Sequence, residues 1–415
     1  MSENSVTIAG IDIGCSCVKC LIAIEDDQGN LEVAGVGIAP CSGHVREGVI
    51  VNASRASEAV RKAVEEAEET SGLEAESAFV SITGLHVRGI LGSSTMVLGD
   101  GRSEEPDLIT EEDVAKVKEA AGNMTLPSGC RVLERIPRDY SFEGFHNLAE
   151  PPVGLRATSV QARVYTIYAD RIAVDNLIAV VENAGVSVEG VIPAAIASAE
   201  AVLNRDEKTV GTAVIDIGAS STDLVVYSGG APVHLSSFSM GGDRITADIQ
   251  SLGISMEDAA RLKEEQVTAM KGLAESKILS VRKVGGRGTI PVNLPVLSQI
   301  AYERVGEMLR FTSEEIAASG IGFENLTGGI VVTGGTARMN GILQASSEIS
   351  GHLVEPGIPR GFTSGSKIVS MPEMATAVGL LKHGALLRSR NLTRGKRENC
   401  GNVFKKFTDF LHKLK

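Results

Sequence analysis

The stretch that decides the fold is Gly211-Thr212-Ala213-Val214-Ile215-Asp216-Ile217-Gly218-Ala219-Ser220-Ser221-Thr222-Asp223-Leu224-Val225-Val226-Tyr227. An apolar run ends in an aspartate, a turn of small and hydroxyl residues follows, and a second apolar run leads away. This is the pattern of two antiparallel strands joined by a tight turn. Residues 6–24 repeat it, with Asp12-Ile13-Gly14 set between two apolar runs. A spacing of about 200 residues predicts two related halves rather than a short-period solenoid.

Between and beyond these landmarks, residues 54–71, 171–184, 255–267, 297–318 and 374–387 carry apolar positions at helical spacing. In the first of them Ala56, Ala59, Val60, Ala63, Val64 and Ala67 share one face, and Gly72 closes it. Strand-like runs at 77–82, 187–192 and 329–333 alternate with the helices, which predicts an α/β architecture. Residues 84–162 differ in texture. They are rich in Gly, Pro, Arg and Glu with one helix near 111–122, and read as an inserted subdomain. Residues 388–402 are polar, basic and aperiodic, and read as a linker.

The chain has 415 residues, enough for two or three domains, and its 43% of hydrophobic residues can form large cores. A net charge of −12 argues against a nucleic-acid binder. Charge is nevertheless uneven, because residues 388–415 hold nine Lys or Arg against Glu398 and Asp409. No apolar run reaches the roughly 18 residues of a membrane-spanning helix. The first residues lack the basic and apolar regions of a signal peptide, and six cysteines are too sparse for a disulfide scaffold, so a reducing cytoplasm is expected. Cys15, Cys17 and Cys20 cluster inside an apolar strand pattern. Packing as small hydrophobes is favoured there over a metal or redox site.

Chemistry is expected at the turns. Gly14, Cys15 and Ser16 offer backbone N–H groups around a glycine, and Gly218, Ala219, Ser220, Ser221 and Thr222 repeat the offer with hydroxyls. Two such turns facing each other could hold a triphosphate. Asp12 and Asp216 at their entrances would then face Mg²⁺ through waters. Gly241-Gly242-Asp243 opens a helix whose N-terminus favours anions. Thr333-Gly334-Gly335-Thr336, followed by Met339, lets backbone approach a nucleoside closely. Each glycine pair alone is an ordinary turn signal, and it is the order and spacing of all four that carries specificity.

In that order the chain resembles the actin/Hsp70/sugar-kinase superfamily, and within it the FtsA family of bacterial cell division. The resemblance rests on Ser81-Ile82-Thr83-Gly84-Leu85-His86, Leu133-Glu134-Arg135-Ile136-Pro137-Arg138-Asp139-Tyr140, Gly241-Gly242-Asp243-Arg244-Ile245-Thr246-Ala247-Asp248-Ile249, Ala260-Arg261-Leu262-Lys263 and Ala375-Thr376-Ala377-Val378-Gly379-Leu380-Leu381. It implies an α/β, actin-like fold: two similar halves around a nucleotide cleft, an inserted subdomain in the first half and a C-terminal amphipathic helix. Residues 1–83, 163–195 and 366–387 would form the first large subdomain (1A), 84–162 the inserted one (1C), 196–230 with 302–365 the second large one (2A), and 231–301 a small one (2B). A basic linker, 388–402, would lead to the helix, 403–415.

The resemblance further implies ATP or ADP with Mg²⁺, with Lys263 near the nucleoside, and self-assembly into filaments. It implies recruitment of the tubulin-like protein FtsZ, whose C-terminal peptide residues 231–301 would receive. The inserted subdomain would meet its filament neighbour and later division proteins. Cys17 stands where many relatives carry a lysine; Lys19, two residues on, either substitutes for it or points to solvent. Hydrolytic relatives place a carboxylate or amide before the proline of the connecting helix, to orient water. Here Ile192 precedes Pro193, so at most a weak ATPase is expected and no catalytic residue is assigned.

At the end of the chain, Val403, Phe404, Phe407, Phe410, Leu411 and Leu414 fall on one face of a helix, with Lys405, Lys406 and Lys413 on its flanks and back. At ~1.5 Å per residue the segment is too short for a bilayer core of ~30 Å. It is therefore expected to lie in the interface of an anionic membrane. This makes the expected location peripheral, on the cytoplasmic face of the cell membrane at the division site. Two rival readings of the same fold are a pilus-assembly adaptor and a small-molecule kinase. The kinase would need a catalytic aspartate in a substrate cleft and gives no reason for the tail.

Overall fold

The computed structural model describes residues 6–99, 105–270 and 272–390. Two sheets organise the molecule. The first runs in the order Ser187–Pro193, Ser77–Ile82, Val6–Ile13, Cys17–Glu25, Leu31–Pro40 and Thr363–Ser364. The second runs Val354–Pro356, Ile330–Thr333, Thr212–Ile217, Thr222–Ser228 and Ala231–Phe238. In each, three consecutive strands form an antiparallel meander, and two later strands add in parallel beside the first of them. The halves share one topology, as the repeated motif predicts. Thr212–Ile217 is buried at every position, which is what a central strand covered on both faces requires.

Helices cover these sheets where the sequence lets backbones meet. Ala53–Ser71 starts on Asn52, whose side chain accepts from the Arg55 N–H, and ends at Gly72 with φ 68°. It lies across Leu31–Pro40 at Gly35 and Gly37, where a Cβ would overlap the carbonyls of Ala67 and Ala63. The halves are joined by Ala194–Val202 and by the helix over residues 375–390. These two helices cross in backbone contact, since a Cβ on Gly379 would overlap the Ala197 carbonyl.

Several elements depart from the sequence reading. The helix expected at 297–318 is Leu294–Ala318, because Pro295 is tolerated in a first turn that has no N–H bond to lose. Those expected at 171–184 and 255–267 are Arg171–Glu182 and Met256–Glu265. Ala194–Val202 shows no amphipathic period because it is buried almost all round. Residues 388–390, read as linker, belong to the helix that begins at residue 375. Arg388 holds them there, bonded to Glu189 and to the Thr7 carbonyl at 2.9 Å.

The inserted region is mostly a sheet, ordered Phe145–Leu148, Cys130–Phe142, Ser159–Asp170 and Arg88–Val97, with Glu111–Gly122 packed on it. Cys130–Phe142 is half-exposed and carries Pro137 beside a bulge, so neither alternation nor an apolar run announced it, whereas Ser159–Asp170 alternates over residues 159–164 and is mostly buried. The remaining linker and the amphipathic tail lie outside the described residues. Among those described, no helix is long and apolar enough to cross a membrane.

Candidate functional site

The site forms where the meander turns of the two sheets face each other. In the first, the Gly14 N–H donates to the Cys17 carbonyl at 3.1 Å, and a Cβ on Gly14 would lie 2.9 Å from that oxygen, closer than a methyl allows. In the second, the Gly218 N–H donates to the Ser221 carbonyl at 2.9 Å. The turns touch directly: the Ser220 hydroxyl donates to Cys15 Sγ at 2.7 Å. Ser16 is exposed, with its carbonyl accepting from the Cys41 N–H at 2.9 Å.

The other two glycine motifs converge on the second turn. The Gly218 carbonyl accepts from the Gly242 N–H at 3.0 Å and from Thr336 Oγ1 at 2.9 Å, and the Ala219 carbonyl accepts from the Asp243 N–H at 2.8 Å. Gly241 is pressed against this turn, with a hypothetical Cβ 2.6 Å from the Ala219 carbonyl. Gly334 has φ 90°, and a Cβ there would overlap the Asp216 carboxylate. Gly335 is exposed nearby, and Met339 is buried where the following 3₁₀ turn ends. Lys263 reaches the Gly242 carbonyl at 3.5 Å. Ser221 and Thr222 are buried, and Thr222 Oγ1 donates to the Met240 carbonyl at 2.8 Å. All four motifs, separated by up to about 320 residues of chain, therefore share one neighbourhood.

Two aspartates lie beneath the turns. Asp12 accepts from Lys19 Nζ at 2.9 Å and from Ser81 Oγ at 2.8 Å. Of the two alternatives for Lys19, the solvent-pointing one is wrong. Burial works against its charge, yet the attraction of Asp12 prevails and raises its pKa. Asp216 accepts from Ser198 Oγ at 2.5 Å and from Thr376 Oγ1 at 3.1 Å, one hydroxyl from each connecting helix. Burial pushes its pKa up, Ser198 opposes the shift, and the charge of Asp12 adds to it. Among the described residues no group of three His, Cys, Asp or Glu side chains is placed to ligate a metal. Asp12 and Asp216 are both buried and held by protein donors, so a Mg²⁺ at the turns would meet them through its own water shell.

The sequence reading missed the hydroxyls that hold these carboxylates. Ser198 and Thr376 are each flanked on both sides by alanine, and a hydroxyl set between small apolar neighbours was the available signal. Asp223 was quoted in the motif without a role. It accepts from Thr83 Oγ1 and Ser237 Oγ, and burial pushes its pKa up to about 7 against those hydroxyls. Cys20 is fully buried in the core, and burial raises its thiol to about 12.

A doubled meander with facing turns and connecting helices that reach the buried aspartates defines an actin-like protein. Solved structures of the same fold include the PilM–PilN type IV pilus biogenesis complex (TM-score 0.62, 18% identity, 92% of this chain and 99% of that one). Another is MreB5 of Spiroplasma citri bound to AMPPNP (TM-score 0.54, 14% identity, 94% and 98%). The sequence is more particular. Residues 213–379 match the family described as cell division protein FtsA, and 84–168 match the SHS2 domain inserted in FtsA. The FtsA of Pseudomonas aeruginosa is 30% identical over 94% of this chain and 92% of its own, and that of Neisseria meningitidis 31% over 94% and 93%. The FtsA of Escherichia coli is 29% identical over 91% and 90%. The chain belongs to the FtsA family: it is a bacterial cell-division protein of actin-like fold.

Proposed function

We propose that this protein binds ATP or ADP with Mg²⁺ between its halves, assembles with copies of itself, and tethers FtsZ filaments to the cytoplasmic face of the cell membrane at the division site. The observation that carries this reading is that the 241–243 and 333–336 motifs converge on the Gly218 and Ala219 carbonyls while the 14–16 turn meets the same turn at Ser220, beside Asp12 and Asp216. The Gly14 and Gly218 N–H groups close their own turns, and the N–H groups of Cys15, Ser16, Ala219, Ser220 and Ser221 would hold phosphate oxygens. Asp12 and Asp216 would hold the water shell of Mg²⁺, which supplies charge neutralisation for the polyphosphate. Gly334, Gly335, Thr336, Met339 and Lys263 would line the nucleoside end. The AMPPNP in the MreB5 complex supports nucleotide in such a cleft.

Rapid hydrolysis is not part of the proposal. Ile192, ahead of Pro193, is buried and apolar and has no group with which to orient water. FtsZ's C-terminal peptide is assigned to the small subdomain, residues 231–301. In support, a groove of about 450 Å³ opens beside it, lined by Asp248, Gln299, Arg304 and Arg310 among others. The inserted subdomain is assigned to neighbouring copies and later division proteins, and the 403–415 segment to the lipid surface.

Vesicle flotation tests the tether. Intact protein should float with anionic vesicles, more strongly with Mg·ATP because linked tails raise avidity. Phe407→Glu should abolish flotation without changing the melting temperature. Flotation of that variant, or none by the intact protein, would favour a pilus-type adaptor or a soluble kinase of the same fold.

A further inference from the structure

A second set of bonds crosses the cleft beside the phosphate turns. Thr83 follows the strand Ser77–Ile82, and the inserted subdomain begins at the next residue, 84. Its hydroxyl donates to the Asp223 carboxylate of the other half, 2.6 Å from Oδ1 and 2.7 Å from Oδ2. Asp223 lies one residue beyond the second turn, opposite Asp216 in the register, and Ser237 Oγ donates to it as well. The carboxylate is only 7% exposed, and the partners holding it are hydroxyls rather than cations. A buried charge held in this way is sensitive to the loss of any one bond.

One layer nearer the turn, the Glu47 N–H donates to Ser220 Oγ at 3.2 Å, the same hydroxyl that donates to Cys15. Glu47 is a non-glycine residue at φ 51°, and Gly48 and Gly84 have φ 80° and 115°. A Cβ on Gly84 would lie 2.6 Å from the Glu47 carbonyl, and one on Gly48 would overlap the Thr83 carbonyl. The 47–48 turn and the 83–84 peptide are thus interlocked and move together.

We propose that the Thr83–Asp223 and Glu47–Ser220 bonds form a latch that couples occupancy of the second phosphate turn to the root of the inserted subdomain, with Asp223 as its positioning residue. The inference rests on the nucleotide reading above. Phosphate cannot enter between Cys15 Sγ and Ser220 Oγ at 2.7 Å, so binding has to part them. Parting them withdraws Ser220 from Glu47, and the interlocked peptide carries Thr83 away from Asp223. Nucleotide therefore loosens the root of the inserted subdomain. By linkage, the closed latch weakens nucleotide binding by the same factor.

Hydrogen–deuterium exchange on the full chain, with and without saturating Mg·ATP, tests this beside an affinity measurement with labelled ATP. ATP should speed amide exchange in peptides covering residues 44–50 and 83–92 and leave the core of Ala53–Ser71 unchanged. Thr83→Val should show the faster exchange without ATP, gain nothing more from it, and bind ATP about fivefold more tightly. Thr83→Ser should restore wild-type behaviour. Binding of ATP by the wild type with unchanged exchange at 83–92 overturns the latch but leaves the nucleotide reading standing, and this comparison needs no variant to fold. Absence of ATP binding overturns both.

Discussion

His383 gives a prediction whose size follows from its surroundings. It lies on the helix over residues 375–390 and is 4% exposed. Its Nε2 is 2.9 Å from Glu134 of the inserted subdomain, and its Nδ1 is 3.8 Å from Glu200 of Ala194–Val202. Behind the carboxylates stand Lys208, 2.6 Å from Glu200 and 5.3 Å over the Tyr227 ring, and Arg390, 3.6 Å from Glu134. Lys382 points away, to the Arg360 carbonyl. Burial by itself disfavours the imidazolium, but the hydrogen bond to Glu134 and the charges of Glu134 and Glu200 outweigh it and raise the pKa to about 9. The 133–140 stretch and the helix over residues 375–390, far apart in sequence, are thereby pinned together.

An unfolded histidine titrates near 6.5. The folded state holds the proton up to about pH 9, so the stabilisation is fully present below about 6.5 and is lost as pH rises through about 9. At ~1.4 kcal/mol per pH unit the whole contribution is about 3 kcal/mol. Glu200, brought down to about 2 by His383 and Lys208 despite its burial, titrates far below this window. His383→Gln keeps a donor toward Glu134 and removes the charge. Urea denaturation followed by circular dichroism should place the variant about 3 kcal/mol below wild type at pH 6, with the gap closing toward pH 9.5. A gap that does not change with pH would refute the charged state of His383 in the folded protein.

Other perturbations test the rest of the structure. Gly241→Val drives a side chain against the Ala219 carbonyl and should weaken labelled-ATP binding at least about tenfold, ~1.4 kcal/mol; unchanged affinity would remove this turn from the site. Gly379→Ala forces the connecting helices apart at Ala197 and should cost ~1–3 kcal/mol in urea titrations, whereas a neutral result would mean that the helices slide freely past each other. Flotation on anionic vesicles should fall between low and moderate salt if the tail lysines contribute, and indifference to salt would point to a purely apolar or protein contact.

Much of the fold was legible because its signals are local. Ile11-Asp12-Ile13-Gly14 and Ile215-Asp216-Ile217-Gly218 each carry a strand, its end and its turn in consecutive residues, and Asn52 and Gly72 bracket a helix by their own side-chain and backbone preferences. The inserted sheet was legible only in part. Cys130–Phe142 is half-exposed without strict alternation and gains its stability from long-range pairing with Ser159–Asp170, whose own alternation covers only residues 159–164. Ala194–Val202 hides for the opposite reason, since a helix apolar on every side has no period to read.

The sequence by itself determined the doubled motif, the residue types at each turn and the amphipathic character of the final segment, all of which depend on neighbours within about ten positions. Only the tertiary structure decided that Lys19 turns onto Asp12, that Ser198 and Thr376 hold Asp216, and that Thr83 reaches Asp223 across the cleft. A hydrogen bond between residues 140 or 160 positions apart leaves no trace in either local pattern. It exists because packing the two sheets and crossing helices buries those carboxylates, and a buried carboxylate must find donors wherever the fold brings them.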